Sequence, residues 1–319
     1  MPLTVAVQMD PLATINIAGD STFALMLAAQ ARGHRLFHYA PEALNYADDR
    51  LWAQAHPVRV QPVQGDHFTA GDPVSLDLGA DADVVLMRQD PPFDLGYITA
   101  THLLERIAGR TLVVNDPASV RNAPEKLWVL DFARFMPPTL ITRSADEARA
   151  FLEQHGSIVV KPLHGNGGKA IFKIDAGGQN LSSLIEVFNT AYREPHMCQA
   201  FLPEVAAGDK RIVLVDGEVA GAVNRIPGEG EIRSNLAVGG SAARTELTPA
   251  EREICAALGP ELKARGLLFV GIDVIGGRWL TEINVTSPTG IVAIEKFDGI
   301  DIAGLIWDAI EARVAQRQG

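Results

Sequence analysis

Only two cysteines occur in the 319 residues, Cys198 and Cys255. They exclude a disulfide framework and have no metal-binding spacing, a usage that fits a reducing cytoplasm. No apolar run is long enough to cross a bilayer. The N-terminal stretch MPLTVAVQMD lacks a basic region ahead of a long apolar segment, so no secretory signal is expected. Basic residues are in deficit, 28 Lys and Arg against 39 Asp and Glu, for a net charge of −11. That balance argues against nucleic acid as a partner, because phosphate contacts need a basic field. The eight histidines show no helical metal spacing. A G-x-S-x-G elbow and internal repeats are both missing. What is present is an apolar fraction of 47%, ample for a buried core, on a chain long enough for two or three units.

The most informative stretch is FVGIDVIGGRWLTEINVTSPTG, Phe269 to Gly290. Two apolar-rich strands flank Gly276-Gly277, a pair suited to a tight hairpin. A two-residue turn there sets Asp273 opposite Leu280. Asp273, Leu280, Glu282 and Asn284 then share one face, with Ile272, Val274, Trp279 and Ile283 on the other. Two carboxylates and an amide oxygen suit a hard ion such as Mg²⁺. An edge hairpin with a solvated polar face fits the same pattern. Like charges on one face also repel, so neutralising Glu282 is expected to stabilise the metal-free protein.

Elsewhere the chain alternates strands and helices. Leu3–Met9, a helix to about Arg32, and Arg35–Tyr39 form a βαβ rhythm that predicts a parallel sheet. Residues 51–78 read as irregular. Arg88–Asp94 follows a short strand at the end where α/β sheets bind ligands. Asn122 and Pro124 are expected to open a helix carrying Lys126. Strand Ile158–Pro162, the loop His164-Gly-Asn-Gly-Gly168 and strand Ala170–Ile174 form neither a P-loop nor a dinucleotide fingerprint, since no helix follows. A glycine loop between strands can still offer backbone N–H groups to phosphate, and an inward Lys161 needs an anion. Arg211 and Arg225 fall on a predicted hairpin, where arginines are often merely surface charges. Residues 227–243, with Arg233 and Asn235, read as a glycine-rich lid. The final helix is expected over Ile300–Val314.

Taken together, QMDPLATINIAGDSTFALMLAAQ, MRQDPPFD, NAPEKLW, KPLHGNGG, GDKRI, RSNLAVGG and the Phe269–Gly290 stretch resemble the bacterial glutathione synthetases of the ATP-grasp superfamily nearly end to end. His164 departs from the acidic residue expected in the phosphate loop. The resemblance implies an α/β N-terminal parallel-sheet domain (1–122), a central ATP-grasp subdomain with the glycine loop (123–202) and a C-terminal one with the lid and metal hairpin (203–319). It implies ligation of γ-glutamylcysteine to glycine with ATP as co-substrate, through an acyl phosphate. Mg²⁺, or Mn²⁺, would be held by Asp273, Glu282 and Asn284. ATP would meet Lys126, Lys161, His164, Gly165, Asn166, Gly167, Gly168, Gln199, Phe201, Leu202 and Asp209. Arg211 and Arg225 would be catalytic. Arg233, Asn284, Ser287, Pro288, Thr289 and Gly290 would bind substrate. A cytoplasmic homo-oligomer, a tetramer by resemblance, is implied, with small molecules as partners and neither nucleic acid nor membrane. Another ATP-grasp carboxylate–amine ligase, or a synapsin-like ATP-binding module, shares much of this pattern.

Overall fold

The computed structural model describes residues 1–165, 167–228, 230–231, 233–234 and 240–318. The first unit opens with β1 (Thr4–Gln8), α1 (Ser21–Ala31), β2 (Arg35–Tyr39), β3 (Leu44–Ala47) and β4 (Arg50–Val60). β5 (Phe68–Ala70), β6 (Val74–Asp77), β7 (Val84–Met87), α2 (Leu95–Glu105), β8 (Leu112–Val114) and α3 (Pro117–Arg121) complete it. The sheet runs β3-β4-β2-β1-β7-β8, with β5 and β6 also pairing β4. β2, β1, β7 and β8 are parallel, as the βαβ rhythm predicts. The supposedly irregular residues 51–78 instead form the long antiparallel β4 and two short partners. Leu51, Ala53 and Ala55 alternate inward and are fully buried, but alanine marks a core face too weakly to be read from sequence.

Asp20 and Asp94 cap α1 and α2 by accepting the Phe23 and Tyr97 N–H groups. Asn122, expected to start a helix, instead closes α3, itself capped by Asp116. Lys126 therefore sits on a tight turn in which Leu127 and Trp128 N–H groups donate to the Pro124 carbonyl, ahead of a 3₁₀ stretch at Trp128–Phe135. The turn leaves the lysine free of a helix surface and lets it point into the cavity described below.

The second unit contains β9 (Thr139–Thr142), α4 (Ala145–His155), β10 (Ile158–Pro162), β11 (Phe172–Ile174), α5 (Leu181–Ala191) and β12 (His196–Ala200). Its antiparallel sheet, β11-β10-β12-β9, has its own core, including Leu152, Val160, Phe188 and Cys198.

The third unit contains β13 (Asp209–Val215), β14 (Glu218–Ile226), β15 (Ser241–Arg244), α6 (Pro249–Ala264), β16 (Phe269–Ile275), β17 (Trp279–Asn284), α7 (Ile291–Asp298) and α8 (Ile302–Gln318). Its sheet order is β15-β14-β13-β16-β17. α7 was not expected; it lies between Gly290 and Gly299 and has no side-chain cap to announce it. α8 starts and ends later than the expected final helix. This unit shares cores with the first: Val213, Phe269 and Trp307 cluster with Val5, Phe23 and Leu36. The Trp307 indole donates to the Leu25 carbonyl at 2.8 Å. Asn115 donates to the carbonyls of Phe269 (2.7 Å) and Val285 (2.8 Å) and accepts the Phe269 N–H (2.8 Å).

Candidate active site

The β16–β17 hairpin carries the polar face, but in a different register from a simple two-residue turn. Ile275 pairs with Trp279, so the loop is Gly276-Gly277-Arg278, and both glycines take positive φ. The register then slips by one: Val274 pairs with Leu280, and Asp273 with Glu282. Thr281 is the extra residue of this bulge, and its hydroxyl donates to the Asp273 carbonyl at 3.2 Å. The bulge corrects the expected face. Leu280 goes into the core with Ile272, Val274 and Ile283, and Trp279, half-buried, leaves it. Asp273, Glu282 and Asn284 keep their common side, with Gly271 opposite Asn284.

Arg211 pairs with Asp273 in the strand register. Its guanidinium meets that carboxylate in a fork, Nε to Oδ1 at 2.6 Å and Nη2 to Oδ2 at 3.1 Å. The fork lies across Gly271, where a Cβ would stand 2.9 Å from Arg211 Cδ. Arg225 Nη2 lies 3.0 Å from Asp273 Oδ1 and 2.5 Å from Asp209 Oδ2. Both arginines are buried, which excludes a surface role for them. Burial would raise the Asp273 carboxyl, but Arg211 and Arg225 outweigh it and hold it well below the usual range. Asp209 shares Arg225 with Asp273 and is pushed up to about 6, burial exceeding the pull of the arginine. Ser234 donates to Asp209 Oδ2 at 2.9 Å, while Oδ1 is buried without a partner.

Lys126 and Lys161 converge on Glu282 Oε1, at 3.4 and 3.6 Å, and all three side chains are largely buried. Lys161 therefore has the anion its inward position demands. Burial pushes it below the ordinary lysine value; for Lys126, Glu282 and Glu125 overcome the same burial and raise it. Lys126 Nζ also donates to the Gly165 carbonyl at 2.7 Å, tying the glycine loop to the site. These groups line a cavity of about 400 Å³ where the three units meet.

Gly165, Gly167, Gly168, Gln199, Phe201, Leu202 and Asp209 line it, as do Arg233 and Ser287–Gly290. Asn166 and Asn235 lie outside the described residues, as does part of the 227–243 lid; Ser241–Arg244 of that stretch is strand β15. His164 is not brought to this cavity. Its ring stacks on Phe93, centroids 5.8 Å apart, against a small side pocket. An aromatic face at position 164 favours that apolar contact over the phosphate end.

The Arg88–Asp94 loop, expected at a ligand-binding end, brings Asp90 and Pro91 to the cavity wall; Glu125, Thr281 and Thr286, also on that wall, were not singled out from sequence. Glu125 precedes an expected phosphate lysine, which is the only signal that could have drawn attention to it.

Family models described as the prokaryotic glutathione synthetase N-terminal domain and ATP-grasp domain match residues 3–121 and 125–299. A glutathione synthetase of Rhodopseudomonas palustris is 61% identical over 99% of this chain and 100% of its own length. One of Bradyrhizobium diazoefficiens is 58% identical with the same coverage. Among solved structures, the ATP-grasp ligase PsnB with its minimal precursor aligns at TM-score 0.63 and 20% identity, over 98% of this chain and 99% of that one. The D-cycloserine synthetase DcsG aligns at TM-score 0.69 and 15% identity, over 97% and 99%. At those identities the two structures speak for the fold. The family models, which between them span nearly the whole sequence, and the full-length relatives establish that this chain belongs to the prokaryotic glutathione synthetase family, ATP-dependent ligases of the ATP-grasp fold.

Proposed function

We propose that the protein makes glutathione by transferring the γ-phosphoryl of ATP to the cysteinyl carboxylate of γ-glutamylcysteine. The amine of glycine then attacks the acyl phosphate, and phosphate leaves. The observation that carries this reading is the meeting of Lys126, Lys161 and Glu282 with the Arg211–Asp273–Arg225 cluster on one cavity wall. A carboxylate is a poor electrophile, and phosphorylation gives it a leaving group. Phosphoryl transfer needs positioned positive charge more than covalent help.

Lys126 and Lys161 hold the α- and β-phosphates, exchanging Glu282 for them. The backbone of Gly165, Gly167 and Gly168 covers the phosphates. Gln199, Phe201 and Leu202 flank the adenine. The unpartnered Asp209 Oδ1 is available to a ribose hydroxyl. Arg211 and Arg225 meet charge on the transferring phosphoryl and on the tetrahedral intermediate. Ser287–Gly290 and Arg233 receive substrate carboxylate, and the 227–243 segment excludes water.

The oxygen chemistry of the donor set suits Mg²⁺, which would have to replace contacts that now fill both Asp273 oxygens. Asp273, Glu282 and Asn284 offer only oxygen. Asn284 Nδ2 is spent on Gly271 O and Asp273 Oδ2, which leaves Oδ1 for a cation. Mg²⁺, when bound, supplies charge neutralisation of the phosphates. The same reading includes three units bounded near residues 122 and 202, a cytoplasmic location and a homo-oligomer, a tetramer by resemblance. No helix among the described residues is long and apolar enough to cross a membrane.

The test is to incubate purified protein with ATP, Mg²⁺, γ-glutamylcysteine and a panel of amines. Glutathione, with one phosphate released per peptide bond, is expected. Efficient ligation of other carboxylates with no product from γ-glutamylcysteine would overturn the reading.

A further inference from the structure

Five carboxylates line the cavity: Asp90, Glu125, Asp209, Asp273 and Glu282. Arginines answer Asp209 and Asp273, and Lys126 and Lys161 answer Glu282. Among the described residues, Asp90 and Glu125 form no ion pair. Asp90 is exposed at the rim, and its Oδ1 accepts the Ser287 hydroxyl at 3.3 Å. Glu125 is more enclosed and firmly placed. Its Oε1 accepts the Thr286 hydroxyl at 2.9 Å, and its carbonyl accepts the Ile283 N–H at 3.2 Å. Side chain and main chain are thus both fastened to the end of β17. No hydrogen bond among the described residues reaches Oε2.

Burial pushes the Glu125 carboxyl above its ordinary value; Lys126 draws it down and Glu282 raises it again. A carboxylate taken from water without a counter-ion is costly, and one that faces a cavity marks a place for a charged ligand. A second observation lies behind it. The Tyr97 hydroxyl, on a residue 1% exposed, has no partner and is within electrostatic reach of Arg88, Glu125 and Asp90. This corner holds buried polar groups whose hydrogen-bonding capacity is not filled among the described residues.

We propose that Glu125 receives the ammonium of the acceptor through Oε2, takes up the proton it must lose to become a nucleophile, and sets the free amine against the acyl carbon. The inference rests on the glutathione reading above. Of the substrates in that reading, ATP has no ammonium group. The ammonium of γ-glutamylcysteine is at the end of the dipeptide remote from the reacting carboxylate. Glu125 adjoins Lys126, whose Nζ meets Glu282 at the phosphate end of the cavity, so the amine placed here is the one that attacks. Thr286 fixes the carboxylate orientation, and Ser287–Gly290 lies directly beyond for the carboxylate of glycine.

The experiment compares wild type with Glu125→Gln and Glu125→Asp, using two nucleophiles. Glycine is an ammonium at neutral pH; hydroxylamine is largely uncharged and captures the acyl phosphate as a hydroxamate without needing a carboxylate to hold it. Glu125→Gln is expected to lower kcat/KM for glycine on the order of 10- to 100-fold, the loss of one charge-assisted hydrogen bond. KM for ATP and the rate of hydroxamate formation should stay within about threefold of wild type, because neither step uses the amine site. Glu125→Asp should recover part of the loss. Equal loss with both nucleophiles would give Glu125 a structural or phosphoryl-transfer role and overturn the inference, as would glycine kinetics near wild type. Failure of the glutathione reading shows separately, as wild-type protein that forms no glutathione, and the inference falls with it.

Discussion

Asp273 and Glu282 stand directly opposite one another on neighbouring strands, yet each is neutralised by a different pair of cations. Arg211 and Arg225 answer Asp273; Lys126 and Lys161 answer Glu282. The two carboxylates are therefore not a bare repulsive pair, and the expected gain in metal-free stability on neutralising Glu282 does not follow. Glu282→Gln should instead lower stability by roughly 3 kcal/mol, since it leaves two buried lysines short of an anion. It should also abolish glutathione formation and blunt the rise in melting temperature caused by Mg·ATP. Thermal melts beside an activity assay decide this. Normal melting, a full response to Mg·ATP and continued synthesis would remove Glu282 from the metal and phosphate site.

Arg225→Ala combines two effects. It should reduce kcat on the order of 10³-fold, because the arginine meets charge that develops during transfer. It also leaves Asp209 without its cation, so a lower melting temperature is expected as well. Steady-state kinetics separate the roles: near-normal turnover with weakened ATP affinity would assign Arg225 to ground-state binding.

Gly271→Ala tests the close approach under Arg211. The new methyl group would sit 2.9 Å from Arg211 Cδ in a strand that otherwise accepts alanine. The guanidinium is held by its fork to Asp273, so it must give up that geometry to make room. Activity should fall at least about tenfold, the usual consequence of displacing a positioned group by a few tenths of an ångström to 1 Å. The melting temperature should fall as well, because a buried ion pair is disturbed. Unchanged activity would show that the fork is not needed for turnover.

Asp273→Asn should alter the response to acid. The wild-type carboxyl is held low by the two arginines, so it stabilises the fold above the unfolded-state pKa of about 4. That contribution is lost as pH falls through the depressed folded value. The variant should be less stable at pH 7 and lose less stability between about pH 4 and pH 2. Denaturant unfolding at several pH values measures both quantities; parallel curves would mean that the Asp273 charge contributes nothing to the fold.

Much of the site was legible because its residue types are unusual for their surroundings. Lys161 at the end of an apolar strand needed an anion, and Glu282 supplies it; Arg211 read only as a surface charge apart from the family resemblance, and the structure buries it against Asp273. The pairing of those two carboxylates was not legible, because one bulged residue, Thr281, resets the register and returns Leu280 to the core. α7 was hidden because glycines bound it at both ends. Lys126 was given a helix because Asn122 suits either end of one, and only the tertiary contacts assign it to the end of α3. Glu125 has only its neighbour Lys126 to recommend it in the sequence; the contact that places it, with Thr286, spans 161 residues.

The three hydrogen bonds of Asn115 finally bear on how such an enzyme would open and shut. They stitch the end of the N-terminal sheet to the two strands that carry the acidic hairpin. Trp307 makes a second stitch on the far side. The first and third units thus form one anvil; the unit of residues 139–200, which carries Lys161 and the glycine loop, has a core largely its own and joins the shared one through Leu163 and Met197. Glu125, in the segment joining the two bodies, is fastened to the anvil through Thr286 and Ile283, so the acceptor end of the cavity is anchored on the side that carries the acidic hairpin.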